Sequence, residues 1–121
     1  MNNPNHIIYG NRVCVKSGIA MSKSKLNDAY NQVDPSKFII EFCYGLFGYE
    51  FFSKSCVRDQ RNKEGYTELP DKEVRVMTDH FQFWMATNNC TNDQIRFYLL
   101  RVNLYCRRAI NSSKKKNEKL W

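Results

Sequence analysis

Several features that identify other classes of protein are missing from this 121-residue sequence. No apolar run approaches the ~20 residues that a membrane-spanning helix needs. The N-terminus has no basic region followed by an apolar stretch, so we expect no signal peptide. There is no paired-carboxylate motif, no glycine-rich phosphate loop and no nucleophile elbow. These absences predict a protein of a reducing compartment that is not an enzyme and has no cofactor, small-molecule substrate or membrane partner.

Cysteine and histidine are too few and too scattered to predict a metal site. The five cysteines form no Cys-x-x-Cys pair, and neither histidine lies near a cysteine in sequence. We therefore predict no bound metal, and cysteines that act as small buried hydrophobic residues. His80 lies beside an apolar stripe, which favours a structural role over a catalytic pairing with Cys90.

What the sequence does contain is positive charge at one end. Residues 101–121 include seven Lys or Arg and one acid, Glu118, which gives +6 of a total net charge of +7. The first hundred residues carry twelve basic and eleven acidic groups and are almost neutral. A near-neutral body with a basic helical end is typical of proteins that bind polyanions. The alternative is a solvated tail without a partner.

Hydrophobic periodicity predicts a single, mainly all-α domain of four to five helices with a short N-terminal β-hairpin. The hairpin is expected over residues 7–15, around a Gly10-Asn11 turn. Ser22 is a predicted N-cap for a helix over 23–31. Asp34 and Pro35 should begin a strongly apolar helix that ends at Gly48. One further helical turn is expected over 49–52.

The second half of the chain should contain a loop and two helices. Residues 53–68 are polar, lack periodicity and predict a loop. A helix is expected from Pro70 to the break at residues 88–89. Thr91 and Gln94 form a capping box that should begin one unbroken last helix over 92–111. The core would span about 8–113, and the basic tail 114–121 should fray, because its consecutive lysines repel one another.

One face of this last helix carries groups that recognise DNA bases. The expected buried stripe is Ile95, Leu99, Val102, Cys106 and Ala109, which leaves a second line formed by Arg96, Leu100, Asn103, Arg107 and Asn111. Arginine can pair with guanine and asparagine with adenine in the major groove, which admits a helix. We predict base contacts from Asn103, Arg107, Asn111 and Ser112. An ordinary solvated helix face is an equally weighted alternative on this pattern alone.

Phosphate contacts are expected from side chains that flank this line, because salt-dependent affinity for DNA comes from its backbone. On the last helix and tail they are Arg108, Ser113, Lys114, Lys115 and Lys116. The polar loop would add Lys54, Arg58 and Arg61. The loop could equally be a mobile surface segment, since the sequence does not show whether it lies beside the helix.

Five segments follow one another in an order and at spacings that are characteristic together. They are Gly10-Asn11-x-Val13-x-Val15 with residues 22–26, Phe38-Ile39-Ile40-x-Phe42-Cys43-x-x-Leu46-Phe47-x-x-Glu50, Ser55 within Lys54-Ser55-Cys56, Leu69-x-x-x-x-Val74-x-x-Met77, and Ile95 with Cys106-Arg107-Arg108-Ala109. Together they resemble the BEN domain family over about residues 8–116. The chain departs from that family's pattern at Pro70, where aspartate is usual, and at Arg58-Asp59-Gln60, where glycine is common.

The resemblance implies an α-helical domain that binds double-stranded DNA in a transcription or chromatin regulator, such as a repressor, or in a viral protein. The closing helix would then address the major groove while loops hold the backbone. The implied location is the nucleus, or a viral DNA-replication compartment.

Two alternatives stay open at this point. The first is a protein-interaction module, a corepressor adaptor or a self-associating homodimer, with an exposed apolar patch at Tyr49, Phe51, Phe52 and Leu100. The second is non-specific binding of nucleic acid, including RNA or single strands, on which Tyr and Phe could stack.

Overall fold

The computed structural model of the protein describes residues 8–9, 12–57 and 64–119, with side chains described for 12–57 and 64–114. The described residues form six α-helices and five short strands, so the prediction of a mainly helical fold is confirmed. None of the described helices is long and apolar enough to cross a membrane.

The N-terminal strands form a three-stranded antiparallel sheet, one strand larger than predicted. Strand β1 (Ile8–Tyr9) pairs with β2 (Arg12–Lys16), which confirms the hairpin, while its turn residues lie outside the described part of the chain. Strand β3 (Ile19–Ser22) then pairs with β2 across Ser17 and Gly18. Both turn residues have positive φ, 54° and 78°, as a two-residue type I′ turn requires. The Ser-Gly dipeptide between two apolar alternations was the signal for this third strand.

The first two helices begin and end where their capping residues predict. Helix α1 (Lys23–Tyr30) starts behind Ser22, whose hydroxyl accepts a hydrogen bond from the Lys25 amide. Helix α2 (Pro35–Phe47) starts behind Asp34, whose carboxylate accepts from the Ser36 amide. It ends at Gly48, where φ is 76°, a value that favours glycine.

The predicted polar loop carries a small parallel strand pair. Helix α3 (Tyr49–Ser53) is the expected extra turn, and it is followed by β4 (Ser55–Cys56). Strand β4 pairs with β5 (Thr67–Glu68), so backbone pairing joins the two ends of the loop. Sequence periodicity could not predict this pair, because each strand has only two residues.

The prediction of one unbroken last helix is wrong. Helix α4 (Asp71–Thr87) ends at Asn88 as expected, and the Thr91–Gln94 capping box is present. The helix that it begins, α5 (Asn92–Leu99), stops after eight residues, and α6 (Val102–Lys119) follows a short turn. Helix α6 also continues past the predicted end at Asn111. The expected boundary between core and frayed tail, at residues 113 and 114, therefore falls inside a helix.

Helix α2 lies at the centre of the core and packs against α1, α3, α4, α6 and β3. Aromatic rings connect α2 to α4, with Phe38 stacked on Phe81 at a centroid distance of 5.6 Å. Helix α6 packs against α2, α3 and β4. Because α6 packs against these three elements on one side, its opposite side faces solvent.

Candidate nucleic-acid interface

Helix α6 has one fully buried face. In the part of α6 with described side chains, residues 102–114, six buried residues follow helical spacing and have at most 8% of their surface exposed: Val102, Tyr105, Cys106, Ala109, Ile110 and Ser113. The stripe predicted for this part of the chain is therefore confirmed at Val102, Cys106 and Ala109. On α5, Ile95 and Leu99 are only partly buried, because that helix lies at the margin of the core.

Three of the four predicted base-contacting residues lie together on the exposed side of α6. Asn103, Arg107 and Asn111 are all exposed and follow one another at four-residue intervals. At 1.5 Å per residue they span about 12 Å along the helix axis. That length matches three to four base pairs at ~3.4 Å each. The remaining two members of the predicted line, Arg96 and Leu100, precede the break and do not belong to this helix.

Two predicted serine contacts are not part of that side. Ser113 is fully buried, and its hydroxyl donates to the Ile110 carbonyl oxygen at 2.7 Å. A phosphate cannot reach a side chain with no exposed surface, so Ser113 is removed from the site. Ser112 is half-buried, and helical spacing places it on the flank of Arg108, about 100° beyond Asn111.

Arg108 is exposed but lies on this second flank of α6. The guanidinium carbon of Arg108 is 6.0 Å from the ring centroid of Tyr105. Tyr105 is nearly covered, and burial, followed by the nearby Tyr98, raises the pKa of its hydroxyl. Arg108 can therefore meet a phosphate from the side of α6 rather than from the centre of the Asn103–Asn111 line.

The loop lies beside α6, as a continuous basic surface would require. The Lys114 ammonium is 4.1 Å from the ring centroid of Tyr66, close enough for a cation–π interaction. Val57, at the other end of the loop, lines a pocket with Asn103 and Cys106 of α6. Both described ends of the loop thus adjoin the helix.

The phosphate contacts predicted in the loop and in the basic tail lie partly inside and partly outside the described residues. Lys54 is exposed, with its ammonium 3.5 Å from the Glu50 carboxylate. Arg58 and Arg61 lie outside the described residues. Lys115 and Lys116 belong to the helical backbone of α6, and their side chains are outside the described part.

A pocket of about 210 Å³ opens beside Asn103. Its walls come from the loop, the start of α4 and α6, and are formed by Val57, Leu69, Asp71, Val74, Asn103 and Cys106. Sequence reasoning missed this pocket, because its residues come from three separate segments. Asp71 makes this end of the surface less favourable for phosphate than the end at Lys114.

The turn between α5 and α6 is held by an arginine. The Arg101 guanidinium donates to the Phe97 carbonyl oxygen at 2.9 Å. In an unbroken helix that carbonyl would accept from the backbone amide of residue 101, which here bonds to the Tyr98 carbonyl instead, at 3.0 Å. The guanidinium carbon also lies 3.5 Å from the Phe97 ring centroid. One side chain thus occupies the carbonyl that the break leaves open.

No family model, curated protein or solved structure matches the chain.

His80 and two of the cysteines, Cys43 and Cys106, form hydrogen bonds within the protein. His80 Nδ1 is 2.6 Å from the hydroxyl of Tyr30, and burial raises the pKa of that hydroxyl to about 12. Cys43 and Cys106 meet between α2 and α6, where the hydrogen bond between them and their burial raise the pKa of the Cys43 thiol. A protonated buried thiol is a poor nucleophile. Within the described residues, no group of three His, Cys, Asp or Glu is placed to hold a metal ion.

Proposed function

We propose that this protein is a BEN-like domain that binds double-stranded DNA through α6. The observation that carries the proposal is the exposed line of Asn103, Arg107 and Asn111 on a helix whose opposite face is buried. Such a helix can enter a major groove, and amide and guanidinium groups are the side chains that read adenine and guanine there. The core behind α6 fixes the direction of these groups before DNA arrives, which lowers the entropic cost of binding.

The charges around α6 favour one direction for the DNA backbone. Lys114 lies near the Asn111 end, whereas Asp71 lies in the pocket at the Asn103 end. We therefore place phosphates along the polar loop and along four cations of α6, Arg108, Lys114, Lys115 and Lys116. Base edges would then lie against Arg107 and Asn111. Asn103 would contact the base that reaches the mouth of the pocket.

The proposed biological setting is a transcription or chromatin regulator, with repression as its expected action and the nucleus, or a viral DNA-replication compartment, as its location. This setting follows from the BEN-like order of motifs alone.

The test is selection from a randomised duplex library at near-physiological salt, followed by sequencing of the bound pool. An enriched motif supports base readout by α6. Binding without enrichment would leave only an electrostatic interaction, and no binding would contradict the proposal.

Two arginine variants sharpen that test. Arg107→Ala should weaken binding to the selected site by ~1–3 kcal/mol and relax one base position. Arg96→Ala removes the same charge from α5, beyond the break, and should leave base preference unchanged. If both variants behaved alike, the exposed line on α6 would have no special role in recognition.

A lysine variant separates charge from readout. Lys115→Ala should weaken binding to all sequences alike and reduce the slope of log affinity against log salt by about 1. A change in base preference in this variant would contradict its assignment to the phosphates.

A protein-interaction module is the second candidate, and one feature favours it. Phe51 is 42% exposed and stacks on Phe47 beside an open pocket that also contains Tyr49 and Lys54. The apolar patch expected from the sequence is smaller than predicted, since Phe52 is fully buried and completes the core. Retention of DNA binding by Phe51→Ala, with loss of a captured protein partner, would assign this surface to protein contacts.

A further inference from the structure

The junction between α5 and α6 exposes an aromatic ring that is already held in place. Phe97 is 48% exposed, and one side of its ring is covered by the guanidinium of Arg101 at 3.5 Å. The same guanidinium donates to the Phe97 carbonyl oxygen at 2.9 Å, so two contacts hold it against this residue. The ring therefore presents its remaining surface to solvent in a fixed orientation.

The surroundings of this ring are cationic rather than broadly apolar. Leu100, three residues further along and 79% exposed, is the other strongly exposed apolar side chain at this junction. Arg96 and Arg101 are the cations within four residues of Phe97, and Asp93 is the acid one helical turn before it. A chain of ring contacts connects Arg108 of α6 to this site. The Arg108 guanidinium carbon is 6.0 Å from the Tyr105 ring centroid, Tyr105 is 6.2 Å from Tyr98, and Tyr98 is 5.2 Å from Phe97. An apolar helix would need a wider apolar surface than Phe97 and Leu100 offer.

We propose that this junction binds an unpaired nucleobase, which stacks on Phe97 while Arg101 and Arg108 contact phosphates of the same strand. Aromatic stacking with neighbouring cations is the common solution for single-stranded nucleic acid, because every base has a π-face. The site lies on a different flank of α6 from Asn103, Arg107 and Asn111. The choice of nucleic acid as ligand rests partly on the proposed function, and Arg108 would contact phosphates in both sites, whereas Phe97 and Arg101 belong to this site alone.

The experiment measures fluorescence anisotropy with three labelled probes: a ten-nucleotide thymidine strand, an abasic strand of the same length and charge, and a blunt duplex. Phe97→Ala should weaken binding of the ten-nucleotide thymidine strand by about 5- to 150-fold, which is the range for the loss of one stacked base. Binding of the abasic strand and of the duplex should be unchanged. Phe97→Tyr should retain binding, and Phe97→Leu, which keeps apolar volume without an aromatic face, should lose it.

Phe83→Ala is the matched control, because Phe83 is 64% exposed on α4, in a pocket beside α1. The inference is overturned if the abasic strand binds as tightly as thymidine, or if Phe83→Ala weakens thymidine binding as much as Phe97→Ala does. It is also overturned if an oligoglutamate peptide binds and Phe97→Ala abolishes that binding, since the surface would then recognise acidic protein. Loss of duplex binding with intact, Phe97-dependent strand binding would reject the proposed function alone.

Discussion

Helices α5 and α6, which the sequence predicted to be one helix, are stabilised by different kinds of interaction. Helix α5 begins with a complete capping box, in which Thr91 and Gln94 satisfy each other's backbone amides, yet it buries none of its residues. Helix α6 packs against α2, α3 and β4 and buries six of its residues between positions 102 and 114, where its side chains are described. Local hydrogen bonds therefore decide where a helix starts, whereas tertiary burial decides how firmly it is held.

This difference bears on the two proposed ligand surfaces. The residues proposed to read a duplex, Asn103, Arg107 and Asn111, lie on α6, whose opposite face is buried. Base readout needs side chains placed to a fraction of the base-pair spacing. The stacking ring stands on α5, which needs only to offer an aromatic face. We expect amide hydrogen exchange to be slower in the buried part of α6 than in α5, because exchange follows the local free energy of opening.

The largest expected effect comes from the same substitution in each helix. Ile110→Ala, at a side chain that is 2% exposed, should lower the free energy of unfolding by about 2–4 kcal/mol. Ile95→Ala, on the partly buried face of α5, should cost about 1 kcal/mol. Urea unfolding monitored by circular dichroism measures both. Equal costs would show that α5 is as firmly held as α6 and would break the comparison.

The sequence predicted most of the helices, because their signals are local. Asp34, Gly48 and Thr91 mark helix ends by side-chain hydrogen bonds or positive φ, and all three are confirmed. The break at residues 100–101 has no glycine or proline to mark it. At the break the Arg101 guanidinium bonds to the Phe97 carbonyl oxygen, and α6 packs against α2, α3 and β4 while α5 buries none of its residues. That difference in packing is a tertiary property, which helical periodicity does not show.

The site was predicted only as far as helical spacing reaches. Asn103, Arg107 and Asn111 share a face because they are four residues apart. Ser113 was misplaced, because the buried stripe of α6 is wider than its apolar residues alone indicate. The contact of Lys114 with Tyr66 joins segments almost fifty residues apart, and one sequence carries no signal for it.

The next effect tests how much α5 depends on its cap. Thr91→Ala removes the acceptor for the Gln94 amide, at 3.1 Å, and should cost about 1 kcal/mol of stability. Thr91→Ser keeps the hydroxyl and should restore most of it. Hydrogen exchange should quicken in α5 and remain unchanged in α6. Equal quickening in both helices would mean that they open as one unit.

A smaller effect is expected at the junction itself. Arg101→Lys keeps the charge but loses the planar donor that bonds to the Phe97 carbonyl oxygen and stacks on its ring. We expect a loss of about 0.5–1 kcal/mol, the size of an exposed cation–π contact. Lys114→Arg, at the contact with Tyr66, is the control, because it retains a cation above a ring. An unchanged stability in Arg101→Lys would show that the break is set by packing alone.

The smallest effect distinguishes a charged cap from a neutral one. The carboxylate of Asp34 accepts from the Ser36 hydroxyl at 2.7 Å and the Ser36 amide at 2.8 Å, and these hydrogen bonds lower the pKa of Asp34. A carboxyl whose pKa is lower in the folded state stabilises the fold above its unfolded pKa and loses that contribution as pH falls through the folded pKa.

Asp34→Ser keeps an N-cap acceptor without the charge. At pH 7 and low ionic strength it should be less stable than the parent by about 0.3–1 kcal/mol, the size of a charge interaction at a helix N-terminus. The difference should shrink as pH is lowered towards 3, whereas the cost of Thr91→Ala should not depend on pH, because no ionisable group forms that cap. A constant difference for Asp34→Ser would show that α2, like α6, is held by burial and gains little from its charged cap.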